Sequence, residues 1–217
     1  MPAMSQGTNK APETVEDRLA SGVEARRGPQ SPWARALRDL GAVDRAVYQA
    51  VAHTPTAGLD DPVRRLSRAA DHSRLWLAIA GATAMLGGAR GRRAALEGVL
   101  SIAVTSATVN LGLKRVHRRR RPERVADLSP ERHVAMPAST SFPSGHAASA
   151  FAFAYAVGRN LPVLGVPIRL LAASVAYSRV HTGVHYPGDV VVGSVVGAGT
   201  AAMVAAVFDA RLARRRA

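Results

Sequence analysis

Five stretches of the chain carry almost no charge: Leu75–Ala89, Gly98–Leu113, Ala147–Gly158, Leu170–Ser178 and Val190–Phe208. They are rich in Ala, Gly, Val and Leu and lack the alternation of a strand, so each predicts a helix. Only Val190–Phe208 reaches the ~18 uncharged residues that by themselves argue for a membrane span. The shorter runs reach that length once the basic residues at their ends snorkel. Arg74 and Arg90 bracket the first run; Arg92 and Lys114 bracket the second, which then contains the acid Glu97. Trp76 falls at the first boundary, where an indole prefers to lie. The pattern predicts an all-α transmembrane helical bundle with about five core spans, in preference to the buried core of a soluble protein. Gly193 and Gly197 have the spacing of a close helix contact within it.

Upstream the pattern changes. Trp33, Leu37, Leu40, Val47 and Val51 form a helical stripe with Asp44 and Arg45 read as off it, which predicts an amphipathic helix lying on the bilayer or on the bundle. Asp61-Pro62 reads as an N-cap followed by the first residue of a helix that carries Leu66 towards Leu75. Residues 1–32 mix Gly, Pro, Ser and charge without period and lack the apolar core of a signal peptide, so a disordered tail is expected. The organisation predicted is a tail (1–32), an amphipathic helical region (33–73), a transmembrane domain (74–210) and a basic tail (211–217).

Charge alters this picture only after it is located. The 217 residues include 29 Lys+Arg against 15 Asp+Glu, a net +14 that alone would suggest nucleic acid. All but one unit of that excess lies from Arg74 onward, at the ends of the apolar runs, where cations meet anionic lipid. Aromatic residues make up 5%, leaving few platforms for stacking bases. The absence of cysteine excludes a disulfide scaffold, a thiolate metal site and a cysteine nucleophile.

Three polar clusters border the runs: Lys114 to Arg121-Pro122, Pro143-Ser144-Gly145-His146, and Ser178-Arg179 through His185 to Asp189. If runs two to five each cross once, all three clusters meet at one mouth of the bundle. Lys114, Arg121 and Arg179, two histidines, one carboxylate and the backbone N–H groups near Gly145 suit a phosphate, because guanidinium forks match its oxygens. Ser144 reads as an N-cap. His181 and His185 are four apart, but Gly183 and Pro187 break the helix a zinc pair needs. His117 and His133 read as solvated bystanders, and Arg115, Arg118, Arg119 and Arg120 as contacts to lipid head groups or an anionic substrate. Glu97 is expected to face the bundle interior or a partner.

The pattern Lys-(six residues)-Arg-Pro, Pro-Ser-Gly-His, Ser-Arg-(five residues)-His-(three residues)-Asp resembles the type 2 phosphatidic acid phosphatase superfamily, which includes the vanadium haloperoxidases. The motifs span 114–189 and the bundle extends the resemblance over roughly 74–208. The resemblance implies a lipid phosphatase that needs no metal or other cofactor. In it, His185 is the nucleophile, Asp189 orients it, and His146 is the general acid and base. Lys114, Arg121, Ser144, Gly145 and Arg179 hold the phosphate. Substrates it implies are phosphatidate, phosphatidylglycerophosphate, a polyprenyl phosphate or diphosphate, or, among actinobacterial relatives, decaprenylphosphoryl-phosphoribose. The partners expected are the lipid phosphate and membrane lipids, with no nucleic acid and with a homo-oligomer left open.

Two other readings fit parts of the pattern. A vanadate-dependent haloperoxidase would use the same phosphate site, but the chain is small and its runs are apolar. A basic membrane-associated nucleic-acid binder would use the 114–124 arginines and leave the spacing of His146, His185 and Asp189 without a reason. The protein is expected in the cell membrane with multiple passes. Eight bases lie on the polar-mouth side and nine on the other; removing Lys114 and Arg121 leaves six against nine, which places the site on the extracytoplasmic face.

Overall fold

The computed structural model describes residues 31–124 and 130–216; of the disordered tail expected over residues 1–32, residues 1–30 lie outside them and Pro32 begins a helix. The chain divides into two compact units at Ala42/Val43. The described part of the first is the N-terminal half of helix α1 (Pro32–His53). The second holds the rest of α1, α2 (Ala57–Ala69), α3 (Arg74–Leu86), α4 (Gly88–Ala107), α5 (Gly145–Asn160), α6 (Pro162–His181) and α7 (Pro187–Arg216). No strand occurs among the described residues. α4 continues through a π-helical segment, Thr108–Leu113, and a last α turn, Lys114–Val116.

Four of the five apolar runs each lie within one helix of the bundle; Leu75–Ala89 runs past the end of α3 and across Gly87 into α4. Three of these helices are long and apolar enough to cross a membrane: Gly88–Val116, Pro162–His181 and Pro187–Arg214. α3 and α5, at 13 and 16 residues, are about 20 and 24 Å long, short of the ~30 Å hydrocarbon core. α5 has little need of that length because it packs against α4, α6 and α7 and is buried along most of its course. Its neighbours carry the exposed apolar side chains, among them Leu170, Val191, Val195 and Met203. α7 continues to Arg216, so residues 211–216 of the expected basic tail are helical.

Small residues bring α5 and α7 together. A Cβ on Gly193 would stand 2.5 Å from the Ser144 carbonyl oxygen, and one on Gly197 would stand 2.0 Å from that of Ala148. The Gly193/Gly197 spacing therefore marks a real backbone-to-backbone contact. Gly98 does the same for a ring: its Cβ would meet Phe153 at 2.7 Å, and Phe153 packs on Trp76 with centroids 5.5 Å apart. Trp76 is thus 1% exposed in the core, a correction to the interfacial placement expected from its position beside Arg74.

At the end of the bundle remote from the polar clusters, Glu97 faces inward as expected. It accepts from Arg159 at 3.0 Å and Asn160 at 3.1 Å, and Arg159 and Arg93 both pair with Asp209. A buried carboxylate is tolerable there because its cation arrives with it.

One local reading needs correction. α2 starts at Ala57, a turn before Asp61-Pro62, with the Thr56 hydroxyl donating to Asp60 at 2.7 Å. Pro62 is accommodated inside the helix, while Asp61 pairs with Arg64 and Arg65. In the second unit α1 turns Asp44, Tyr48 and Ala52 inward, packs Val51 partly buried beside them and leaves Val47 exposed, so Asp44 lies off the apolar stripe. The inward face wins because Asp44 accepts from the Gly188 N–H at 2.6 Å and Tyr48 packs edge-on against Tyr186.

A Gly197→Val substitution is expected to lower thermal stability in detergent by about 1–3 kcal/mol through overpacking against Ala148. Gly199→Ala, on the same helix with open space at its Cβ, serves as the reference and is expected to leave the unfolding midpoint unchanged or slightly raised.

Candidate active site

The three polar clusters do converge. α4 and α6 run towards the mouth where α5 and α7 begin, and the loop after α4 lies across it. A cavity of about 400 Å³ opens there, lined by Lys114, Arg121, Gly145, His146 and His185 among others. Ser144, Arg179 and Asp189 stand behind its wall, each no more than 2% exposed.

His185 is placed by the way α6 ends. Gly183, at φ +70°, turns the chain out of the helix, a conformation glycine adopts without a Cβ penalty. The N–H groups of Val184 and His185 then both bond back to the Arg179 carbonyl, at 3.2 and 3.1 Å. This explains why the arginine and histidine of the third motif keep a fixed spacing. Four residues on, Asp189 lies in the first turn of α7, with Oδ2 3.4 Å from His185 Nδ1. Its carboxylate also accepts from Ser141 Oγ, from the Tyr186 N–H at 3.0 Å and from Arg119 at 3.0 Å.

The opposite ring nitrogen, His185 Nε2, is 3.2 Å from Arg121 Nη1. Arginine only donates, so Nε2 accepts and the ring proton sits on Nδ1, facing Asp189. Burial pushes the His185 pKa down to about 4, against the pull of Asp189. The imidazole is therefore neutral at physiological pH, with its lone pair on Nε2.

The cations are held in place by the protein. Arg121 donates to the carbonyls of Ser139 at 2.9 Å and Val184 at 2.8 Å, bracing the loop before α5 against the loop before α7. Lys114 Nζ reaches Ser139 Oγ at 3.1 Å. Arg179 donates to Ser67 Oγ at 2.5 Å and lies 3.9 Å from Asp71, while its buried Nε has no hydrogen-bond partner. A buried guanidinium N–H left unpaired beside a cavity calls for an acceptor, and an anion supplies one.

Ser144 caps α5 as expected, its hydroxyl accepting from the Ala147 N–H at 3.4 Å. His146 Nε2 is 2.8 Å from Asp71 Oδ1. Burial pushes the His146 pKa down and Asp71 opposes it, while the same hydrogen bond holds the Asp71 carboxyl below the usual carboxylate range.

Several of these residues were not singled out by the motif pattern. Asp71 lies far upstream, on a 3-10 turn, and Ser67 and Ser141 lie outside the motifs. Arg119, read as a head-group contact, instead bridges Asp189 and Asp44 (2.7 Å) and stacks over Tyr186 at 4.1 Å. The i+5 position after Lys114 carried no distinguishing signal within a run of arginines. His181 is buried with Nε2 3.0 Å from Asp60, whose carboxylate also takes the buried Arg132 at 2.8 Å. His133, expected in solvent, is half-buried.

Phosphoryl transfer is the chemistry that a neutral histidine flanked by three cations suits, and in this fold it defines a membrane phosphatase. The family model described as the PAP2 superfamily matches residues 94–213, and the chain belongs to that family. It is a hydrolase of the PAP2 type.

The decaprenylphosphoryl-5-phosphoribose phosphatase of Mycobacterium tuberculosis H37Rv is 37% identical over 185 residues, covering 84% of this chain and 98% of the relative. The protein of the same name from Mycolicibacterium smegmatis is 40% identical over 159 residues, covering 73% and 83%. Among solved structures, Aquifex aeolicus LpxE matches with a TM-score of 0.61 at 20% identity, over 75% of this chain and 94% of that one. The PAP2-type phosphatidylglycerolphosphate phosphatase of Bacillus subtilis matches with 0.60 at 23% identity, over 89% and 94%. These two show the shared fold.

Millimolar inorganic phosphate is expected to raise the unfolding midpoint of the detergent-solubilised protein, since it binds the native state alone. In Arg179→Gln most of that increment should disappear, judged against the variant's own phosphate-free midpoint. An undiminished increment would remove Arg179 from the anion site.

Proposed function

We propose that this PAP2-type phosphatase removes the terminal phosphate from a membrane-anchored sugar phosphate, of the kind named for its mycobacterial relatives, through a phosphohistidine on His185. The observation that carries the mechanism is the orientation of His185: Nδ1 towards Asp189, Nε2 accepting from Arg121. That tautomer presents an unprotonated nitrogen for in-line attack, and Arg121 shifts its Nη1 from the ring to a phosphate oxygen as substrate enters.

His185 Nε2 forms the P–N bond as the P–O bond to the sugar breaks. The electron pair leaves on the sugar oxygen, which takes a proton from His146. Lys114, Arg121, Arg179 and the Gly145 N–H stabilise charge on the equatorial oxygens. His146, now neutral, removes a proton from water; the hydroxide attacks phosphorus, the P–N bond breaks, and inorganic phosphate leaves. Asp71 favours the protonated His146 that the first step requires.

An extracytoplasmic site fits the loop charges. Arg119 and Arg132 on the mouth side, and Arg93 and Arg159 on the other, are neutralised by internal carboxylates. With these set aside the imbalance is four against seven, in the same direction as before. Single cysteines at Glu123 and Arg214 should label from outside at 123 alone; the reverse pattern would invert the topology.

In detergent with chelator, the wild type is expected to release phosphate from a polyprenylphosphoryl-5-phosphopentose. His185→Ala should lose the activity and form no acid-labile phosphoenzyme, and His146→Ala should slow turnover by about 10²–10⁴-fold. Full activity in His185→Ala would overturn the mechanism. The acid limb of the kcat/KM profile is expected well below the ordinary histidine range, near pH 4, because His185 stays neutral down to its lowered pKa. In Asp71→Asn the alkaline limb should move to lower pH, since the group that raises the His146 pKa is gone.

A further inference from the structure

The cavity has a second polar wall, set within a helix otherwise suited to lipid. Ser106, Asn110 and Lys114 stand four residues apart along α4 and its π-helical extension, and all three line the cavity. Between Gly98 and Leu113 this helix carries no charge, and a side-chain amide in such a span is disfavoured unless it meets a polar partner. The π turn is wider than an α turn, so residues four apart stay more nearly in line. Asn110 is thereby kept on the cavity side, one turn beneath Lys114, where a regular helix would rotate it further round.

The hydrogen bonding of this pair is unlike that of its neighbours. Ser101 and Thr108 turn their hydroxyls back on the carbonyls of Glu97 and Val104, at 2.7 and 2.9 Å. Ser106 Oγ instead accepts from Asn110 Nδ2 at 3.1 Å. That bond orients both groups towards the same space. Asn110 retains Oδ1 as an acceptor and a second Nδ2 hydrogen as a donor, and the Ser106 hydroxyl retains its own proton. His72 and Ser73 also line this cavity, from a turn in which both have positive φ, +53° and +60°. Two successive left-handed non-glycine residues are strained by about 1–3 kcal/mol each, and such strain concentrates at ligand sites.

We propose that Ser106 and Asn110 form a hydroxyl-recognition subsite for the vicinal diol of the pentose that carries the reacting phosphate. The proposal rests on the sugar-phosphate reading above and deepens it to specificity. One hydroxyl donates to Asn110 Oδ1, and its neighbour accepts from Asn110 Nδ2 or the Ser106 hydroxyl. Phosphatidate has no free hydroxyl beside its phosphate and phosphatidylglycerophosphate has one, so these lipids leave the pair wholly or partly unsatisfied. A lipid without those hydroxyls forgoes the bonds to the pair, so kcat/KM is expected to favour the pentose lipid.

The test compares kcat/KM of the full-length protein in detergent on three lipids: a polyprenylphosphoryl-5-phosphopentose, phosphatidylglycerophosphate and phosphatidate. The wild type is expected to rank them in that order. In Asn110→Leu the ratio of the pentose value to the phosphatidate value should fall tenfold or more. Asn110→Gln and Ser106→Ala, which disturb the helix less, should lower the same ratio by smaller factors. Loss of the same proportion on all three lipids in all three variants, or an unchanged ratio in each, would overturn the subsite while leaving His185-dependent hydrolysis of the pentose lipid intact. No phosphate release from the pentose lipid by the wild type would overturn the parent reading, and this one with it.

Discussion

Burying the charge of Asp189 is the constraint around which this end of the molecule is arranged. A carboxylate with no exposed surface is strongly unfavourable unless donors surround it. Here they come from three places: Arg119 from the loop after α4, Ser141 from the segment leading into α5, and the Tyr186 N–H from the α7 entry turn, with His185 Nδ1 standing 3.4 Å away. Its position in the first turn of α7 adds the favourable end of the helix dipole. Satisfying one carboxylate therefore draws together all three polar segments, and the cavity is the space that remains between them. The N-terminal helix is tied to the same point, because Asp44 holds both Arg119 and the Gly188 N–H.

Much of this was legible in the sequence, for identifiable reasons. Apolar runs lie within helices because a lipid-facing or buried helix must be uniformly apolar, and helix parity then brings Lys114, His146 and His185 to one mouth without any knowledge of contacts. What was not legible depends on partners rather than on pattern. Arg119 and Arg120 are alike in the chain, yet only one meets two carboxylates and an aromatic ring. Asp71 gives no signal until a 3-10 turn brings it to His146. Trp76 was misplaced because proximity to Arg74 suggests an interface, whereas Gly98 has opened room for Phe153, and so for the indole, inside the bundle.

The two ends of the bundle handle buried charge differently. At the end remote from the cavity, Glu97, Arg159, Asp209 and Arg93 close on one another with acids and bases in equal number. At the mouth the balance is uneven. Lys114, Arg121 and Arg179 converge, and Asp189 already has other partners. Asp71 faces His146 and is the carboxylate closest to Arg179, at 3.9 Å. The first arrangement is complete in itself, as a helix clamp should be. The second has an excess of donors, which is the condition for binding an anion tightly and for stabilising one that gains charge during reaction.

Packing and chemistry also meet at a single residue. The Ser144 carbonyl lies against Gly193 so closely that no side chain fits there, and the Ser144 N–H donates to the Asp189 carbonyl at 2.9 Å. The small residues of α7 thus fix the start of α5 against the His185–Asp189 turn as well as holding two helices together. The next residue, Gly145, is a glycine for a different reason. A Cβ there would touch nothing within 4 Å, so packing does not require its absence. Gly145 lines the cavity, and in the proposed mechanism the missing side chain lets a phosphate oxygen approach its N–H at the start of a helix. Adjacent positions in Pro-Ser-Gly-His are therefore constrained by opposite things: Ser144 by the protein pressed against it, and Gly145, in the proposed mechanism, by the phosphate that must come near.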